Sequence, residues 1–344
     1  MSTNAATSTF TLEYVKTIGL ATNQIGRGFI NPYDVAFSRD GRIFVLNHCD
    51  SARKNLMRVG IVNLDEEEYL GEFGKGSGTG DDQFNSPVAM AFDTQDRLYV
   101  TDELNHRVTI FDASGKFLHK WDAAGSGDGE FNGPAGVAVD REDHVYIVDQ
   151  HNSRVQKFTT AGKCLGQWGE LGSRPGQFNL PWGVTTDAAG DVYVADWRND
   201  RVQKFSPEGQ FMASFGESGT GDGQFHRPSA VAVDAQGYVY VADWGNERVQ
   251  VLGPQGEFVT KLRGEATLSK WAENFLNINI EEAAARATAN LEMQIDYPVK
   301  TPHEESSHIE KLFWSPVSVK LDKDGLLYVT ETGRHRIQVY GRTA

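Results

Sequence analysis

Apolar residues alternate with polar ones in short runs, separated by turn residues, and this alternation returns in similar copies along the chain. In the copy that starts at Pro181, an extended run begins at 183–186 and DAAG at 187–190 supplies a turn. VYVA at 192–195 is rich in β-branched and aromatic residues, and residues 196–200 turn the chain again. RVQKF at 201–205 alternates as a third strand, SPEG at 206–209 turns, and FMASF at 211–215 forms a fourth. Each copy therefore predicts four antiparallel strands.

The clearest copies are PAGVAVDREDHVYIVDQHNSRVQKF from Pro134, PWGVTTDAAGDVYVADWRNDRVQKF from Pro181 and PSAVAVDAQGYVYVADWGNERVQVL from Pro228, with weaker ones from Pro32, Pro87 and Pro316. The six prolines are spaced 55, 47, 47, 47 and 88 residues apart. A repeat of this length made of four strands is one blade of a propeller. The expected fold is all-β: a single six-bladed β-propeller of four-stranded antiparallel blades over residues 8–344, with 1–7 a flexible N-terminus. The last copy supplies three strands, and YVKTIG at 14–19 has the fourth-strand pattern of FLHKW at 117–121. The N-terminal strand is thus expected to complete the sixth blade and close the ring, which leaves no open sheet edges.

The underlying pattern, GxFxxPxGVAVDxxGxVYVADxxNxRVQxF, resembles the NHL repeat over about residues 8–263 and 313–341, and NHRV at 105–108 is a consensus form of the third-strand entry. That resemblance implies a six-bladed propeller, in agreement with the count of copies. It implies no single activity, since the family includes RNA- and protein-binding modules as well as metal-dependent lyases such as the peptidyl-hydroxyglycine amidating lyase.

A net charge of −14 disfavours a partner held through phosphates, so no nucleic acid is expected. Cys49 and Cys164 form neither a disulfide framework nor a CxxC motif. The N-terminal stretch lacks the pattern of a signal peptide, and no run reaches the ~20 apolar residues of a membrane helix. The expectation is a cytoplasmic protein without membrane contact.

Residues shared by all blades are read as scaffold. Asp102, Asp149, Asp196 and Asp243, with Asn47 and Glu331, recur at one position, and Arg107, Arg154, Arg201, Arg248 and Arg336 recur five residues later. Each acid is expected to cap its loop and pair with its arginine, and His106 and His335 are read as structural. Function is expected where the copies disagree, on the face bearing the loops between strands two and three. Asp34 is the one carboxylate in a slot otherwise held by Ala89, Gly136, Gly183, Ala230 and Ser318. Two readings stand for it: a catalytic acid/base or ligand, or a carboxylate hydrogen-bonded to neighbouring backbone.

His48, His151 and His226 fall in alternate blades and are expected either to converge as catalytic groups and ligands of a divalent ion (zinc or calcium) or to be separate, solvated histidines. The longer loop of blade one also brings Cys49, Asp50, Arg53 and Lys54 to that rim. Tyr33, Trp182, Trp197, Trp244, Trp271 and Trp314 map to the same face, and aromatic surface of that extent calls for a ligand or a cover. Glu103, Arg198 and Arg227 add polar anchors for a substrate. No nucleotide cofactor is expected, because the glycine-rich stretches are turns between blades and not phosphate loops.

Between Gly264 and Pro316 the period changes to helical, with Leu268, Trp271, Phe275 and Leu276, then Ile280, Ala284, Ala287 and Leu291, on one face each. Tyr297-Pro298 and Thr301-Pro302 are expected to break helicity before a last turn at 307–312. This insertion, 265–312, is read as a helical lid over the channel mouth, the alternative being a structural cap or an oligomer contact. The functional expectation is an enzyme on a small-molecule substrate, a lyase or hydrolase, possible metal dependence included; the alternative is a non-catalytic protein- or peptide-binding module.

Overall fold

The computed structural model describes residues 10–21, 26–49, 56–64, 67–292 and 301–343. Six four-stranded antiparallel sheets form a six-bladed propeller. In blades one to five the strands follow chain order from the axis outward, as in blade four: Pro181–Thr186, Val192–Asp196, Arg201–Phe205 and Phe211–Phe215. Blade six is built from both ends of the chain. Pro316–Leu321, Leu327–Glu331 and Arg336–Thr343 are its first three strands, and Thr11–Ile18 is its fourth, pairing antiparallel with Arg336–Thr343. The ring is closed by hydrogen bonds where the sequence placed the closure.

The alternation of the strands translates directly into packing. Tyr99, Tyr146, Tyr240 and Tyr328 are buried between blades, and each hydroxyl donates to the aspartate of the preceding turn: Asp93, Asp140, Asp234 and Asp322. Blade one lacks both partners, with Ser38 and Phe44 in their places. Each glycine-rich connection is pinned by a buried phenylalanine, Phe29, Phe84, Phe131, Phe178 or Phe225, which bridges back to the start of its own loop.

The recurrent acids are structural. Asp149 accepts from the Asn132 backbone N–H, the Asn152 side chain and Arg154 Nε at 2.7–2.8 Å; Asp196 and Asp243 repeat the arrangement, and Glu331 takes the same part in blade six. Blade two departs: Arg107 reaches the loop carbonyls of Thr79, Gly80 and Gln83 as the other arginines reach theirs, but its Nε makes no bond to Asp102, which accepts from Asn85 N–H, Ser86 N–H and the Asn105 side chain instead. In blade one Arg58 pairs with Glu72. In blades two, four, five and six the residue before the arginine latches that blade to the next. His106 Nδ1 accepts from Gly133 N–H, Asp200 from Arg227 N–H and His335 Nδ1 from Asn31 N–H.

Among the described residues, the insertion holds three helices: α1 (Lys270–Ile278), α2 (Ile280–Thr288) and α3 (Pro302–His308). Ser269 caps α1 and also donates to the Gly19 carbonyl. Thr301 caps α3, so Pro302 opens a helix at its first position instead of ending one. Tyr297 and Pro298 lie outside the described residues. The α1 face is not simply turned inward: Phe275 is 45% exposed, and the flanking Ile278 and Ile280 are more so. Among the described residues, no helix is long and apolar enough to cross a membrane.

Candidate functional site

The first strands of the blades run so close together that the upper channel narrows to a cavity of about 30 Å³, lined among others by Tyr33, Asp34, Gly136, Trp182, Gly183, Ser318 and Lys320. A Cβ on Gly136 would lie 2.5 Å from the Trp182 carbonyl, and one on Gly183 2.6 Å from that of Ser229. That space suits about one water. A larger ligand cannot enter this neck: on the loop-bearing face it would sit above it, and on the opposite face the channel opens into a hollow of about 810 Å³.

Asp34 is buried inside this neck and both its oxygens are engaged. Ser318 Oγ donates to Oδ1 at 2.6 Å, Met90 N–H to Oδ2 at 2.8 Å, and Lys320 Nζ stands 3.4 Å from Oδ2. It therefore ties blade one to blades two and six. Lys320 was not singled out from the sequence, although its slot is Ala36, Ala91, Ala138, Thr185 and Ala232 in the other blades. The lone cation and lone anion of the inner strands meet each other.

Around the mouth the predicted residues fall into two groups. On blades one to three, Tyr33 stacks on His48 with ring centroids 4.3 Å apart, and His48 Nδ1 lies 3.0 Å from the Pro87 carbonyl. Burial raises the Tyr33 phenol above its ordinary value, and the nearby Glu103 charge adds to this. Glu103 accepts from Ser86 Oγ and lies 3.6 Å from His151 Nε2. On blades four and five, Trp182, Trp197 and Trp244 form an arc with successive centroids 6.4 and 6.3 Å apart. Arg227 and Arg198 lie over the Trp197 ring at 4.9 and 5.8 Å. Both guanidinium residues are exposed, while the indoles are half-buried. The short 3-10 turns Trp197–Asn199 and Trp244–Asn246 set this geometry, because they follow the anchored Asp196 and Asp243.

The three histidines proposed as metal ligands are not brought together. His48 is held on Tyr33 and Pro87, His151 beside Glu103, and His226 4.0 Å from Asp200 with its ring packed on Gly245. They stand in different loop slots, so equal spacing by blade does not give convergence. Among the described residues, no group of three or more His, Cys, Asp or Glu side chains is placed to hold a metal ion. Asp50, Arg53 and Lys54 lie outside the described residues.

Trp271 also departs from expectation. It is 2% exposed, packs on Phe29 at 5.4 Å and donates from Nε1 to the Glu67 carbonyl, so it fills an apolar gap beside blade one and is not part of a pocket wall. Helix α1 is anchored there, whereas α3 reaches the loop-bearing face. His303 on α3 bridges Glu247 and Trp314, and Arg334 lies 5.4 Å over the Trp314 ring while donating to the Ser306 carbonyl of α3. Glu247 was not expected here; it occupies the latch slot of Asp200, and its oxygen accepts from Ser315 N–H.

Comparison with known proteins agrees with this architecture. A family model described as a 6-bladed beta-propeller matches residues 80–166, and the NHL repeat matches 178–205, 225–252 and 313–340. No curated protein matches the chain. Among solved structures, catalytically inactive virginiamycin B lyase from Staphylococcus aureus with quinupristin is similar at TM-score 0.57 and 14% identity, over 97% of this chain and 85% of that one. An auxiliary nutrient binding protein from Bacteroides thetaiotaomicron is similar at TM-score 0.61 and 11% identity, over 97% and 76% of the two chains. A protein of unknown function from the same organism gives 0.59 and 17%, over 96% and 76%. At these identities the likeness is one of fold.

Proposed function

The chain carries NHL repeats and folds as a six-bladed β-propeller, and from that premise we propose that it is an enzyme, a lyase or hydrolase, acting on a small organic molecule at the channel mouth. The observation that carries the reading is the tryptophan arc with two exposed arginines on blades four and five, beside the Tyr33–His48 and Glu103–His151 pairs on blades one to three. Indole faces take up a planar or apolar body, and guanidinium groups hold a carbonyl or carboxylate. His151 beside Glu103 is the proton-transfer pair of this reading, and Tyr33 is a neutral donor whose phenol burial keeps protonated. The neck below, closed by Asp34 and Lys320, gives the site a floor. No step is assigned to a metal, because the candidate ligands do not fit one together.

The test uses quinupristin, which a neighbour of the same fold binds, alongside a panel of aromatic esters and amides. Binding is followed by tryptophan emission and products by mass spectrometry, for the wild type, W197A and H151N. The expected result is saturable quenching lost in W197A, and a product formed by wild type and not by H151N. Ligand binding without any product would favour a binding protein, as in the nutrient-binding neighbour. Absence of both, with W197A indistinguishable from wild type, would overturn the proposal.

A further inference from the structure

The insertion brings one chemically distinctive group to the mouth that the repeat pattern does not contain. Glu247 is 2% exposed and stands at the start of the third strand of blade five, in a slot held elsewhere by Met57, His106, Ser153, Asp200 and His335. Asp200 spends one oxygen on the latch to Arg227 N–H and the other on the Ser218 hydroxyl of the following connection, whereas Glu247 turns its second oxygen to a titratable side chain. One oxygen accepts from Ser315 N–H, the ordinary latch, and the other accepts from Nδ1–H of His303 on α3. A buried carboxylate with two donors fixes the imidazole as the tautomer that carries its proton on Nδ1. The lone pair is then on Nε2, and Nε2 lies 3.2 Å from the Trp314 indole nitrogen, which donates to it. The histidine side chain is 57% exposed, so this lone pair lies at the surface while the carboxylate behind it does not.

The support for this pair is built as well. Thr301 caps the helix that carries His303, Arg334 donates to the Ser306 carbonyl near the end of that helix, and Arg263 pairs with Glu305 at 2.7 Å. Trp314 is itself held by its backbone N–H on Glu331 and by Arg334 over its ring.

We propose that His303, oriented by Glu247, is a proton acceptor of the channel-mouth site, with the Trp314 N–H occupying the position of a substrate's proton until a ligand displaces it. This rests on the small-molecule reading given above and adds a base on the blade five to six side. The step assigned to it is proton transfer alone. A substrate X–H proton moves to Nε2, the bonding pair stays on X, and the imidazolium charge is balanced by Glu247 through the Nδ1–H bond.

The test needs no substrate. On the full chain, ¹⁵N spectra of the histidine rings at pH 8 are expected to show His303 with its proton on Nδ1; a proton on Nε2 would overturn the assignment. Diethyl pyrocarbonate, an acylating probe of the imidazole lone pair, then measures reactivity by mapping the modified peptides. Removing the cap in W314F is expected to speed His303 modification several-fold. E247Q, which keeps the side chain's size but removes its charge and turns one of its two acceptors into a donor, is expected to slow it several-fold. Exposed His226 serves as the internal control for folding and should not change in either variant. His303 reacting at the His226 rate and indifferent to both substitutions would overturn the proposal. These readouts are independent of quinupristin or ester binding, so failure of the small-molecule reading and failure of the His303 assignment are separately visible.

Discussion

Removing Asp34 should cost stability, because the side chain is engaged on all sides within the neck. In Asp34→Ala the Met90 N–H loses its 2.8 Å acceptor, Ser318 Oγ loses its 2.6 Å partner, and Lys320 loses its counter-charge. Breaking a buried ion pair by removing one partner costs about 3–5 kcal/mol. Lys320 is 26% exposed at the side chain, which places this case at the lower end, near ~3 kcal/mol. With roughly 2 °C per kcal/mol for a chain larger than 200 residues, the melting temperature should fall by about 6 °C. Lys320→Ala alone should cost about 1 kcal/mol, since Asp34 keeps two short donors. The double variant should be more stable than the sum of the singles implies by about 1 kcal/mol or more, because no ammonium is left unpaired. Urea unfolding followed by tryptophan emission measures all four proteins. Asp34→Ala within about 0.5 kcal/mol of wild type, or strict additivity in the cycle, would refute the reasoning.

Other parts of the structure give sharper contrasts. Gly136→Ala forces a Cβ to 2.5 Å from the Trp182 carbonyl and should destabilise by about 1–3 kcal/mol, whereas Gly166→Ala, with open space around its Cβ, should be neutral or slightly stabilising in the same urea assay. Trp271→Ala should lose about 3–5 kcal/mol by leaving a cavity against Phe29, and limited proteolysis should then cut the 265–312 segment first. Asp40 is held down to about 2 from an ordinary 3.8, chiefly by the Arg42 hydrogen bond and then by Ser38. A carboxyl with a lowered folded value contributes stability above its unfolded value and loses it as pH falls from about 4 toward 2. The stabilities of wild type and Asp40→Asn, read from urea unfolding, should therefore differ by less than about 1 kcal/mol at pH 5, because the pair is exposed, and converge near pH 2.

The propeller was legible because each copy repeats its own evidence: alternation, turn residues and spacing agree blade by blade, and the missing fourth strand of blade six is matched by the chain's start. The tryptophan arc was legible for the same reason, since Trp182, Trp197 and Trp244 stand at slots whose place on the face is fixed by the repeat. What escaped was pairing between elements. Asp34 stood out in its slot, yet its meaning depended on Lys320, one blade and 286 residues away, whose own slot was the remaining signal. The histidines shared a face but sat at different loop depths, which blade counting does not resolve. Trp271 and His303 lie in the insertion, where no repeat fixes position; one fills a gap beside Phe29 and the other meets Glu247.

The most direct test of the account is a crystal structure of the protein soaked with small planar aromatic acids and esters. The account places bound fragments at the mouth, with rings against Trp182, Trp197 or Trp244 and oxygens toward Arg198 or Arg227. Fragments that leave this face empty and collect instead in the funnel on the opposite face, lined by Arg39, Arg141 and Lys323, would contradict it.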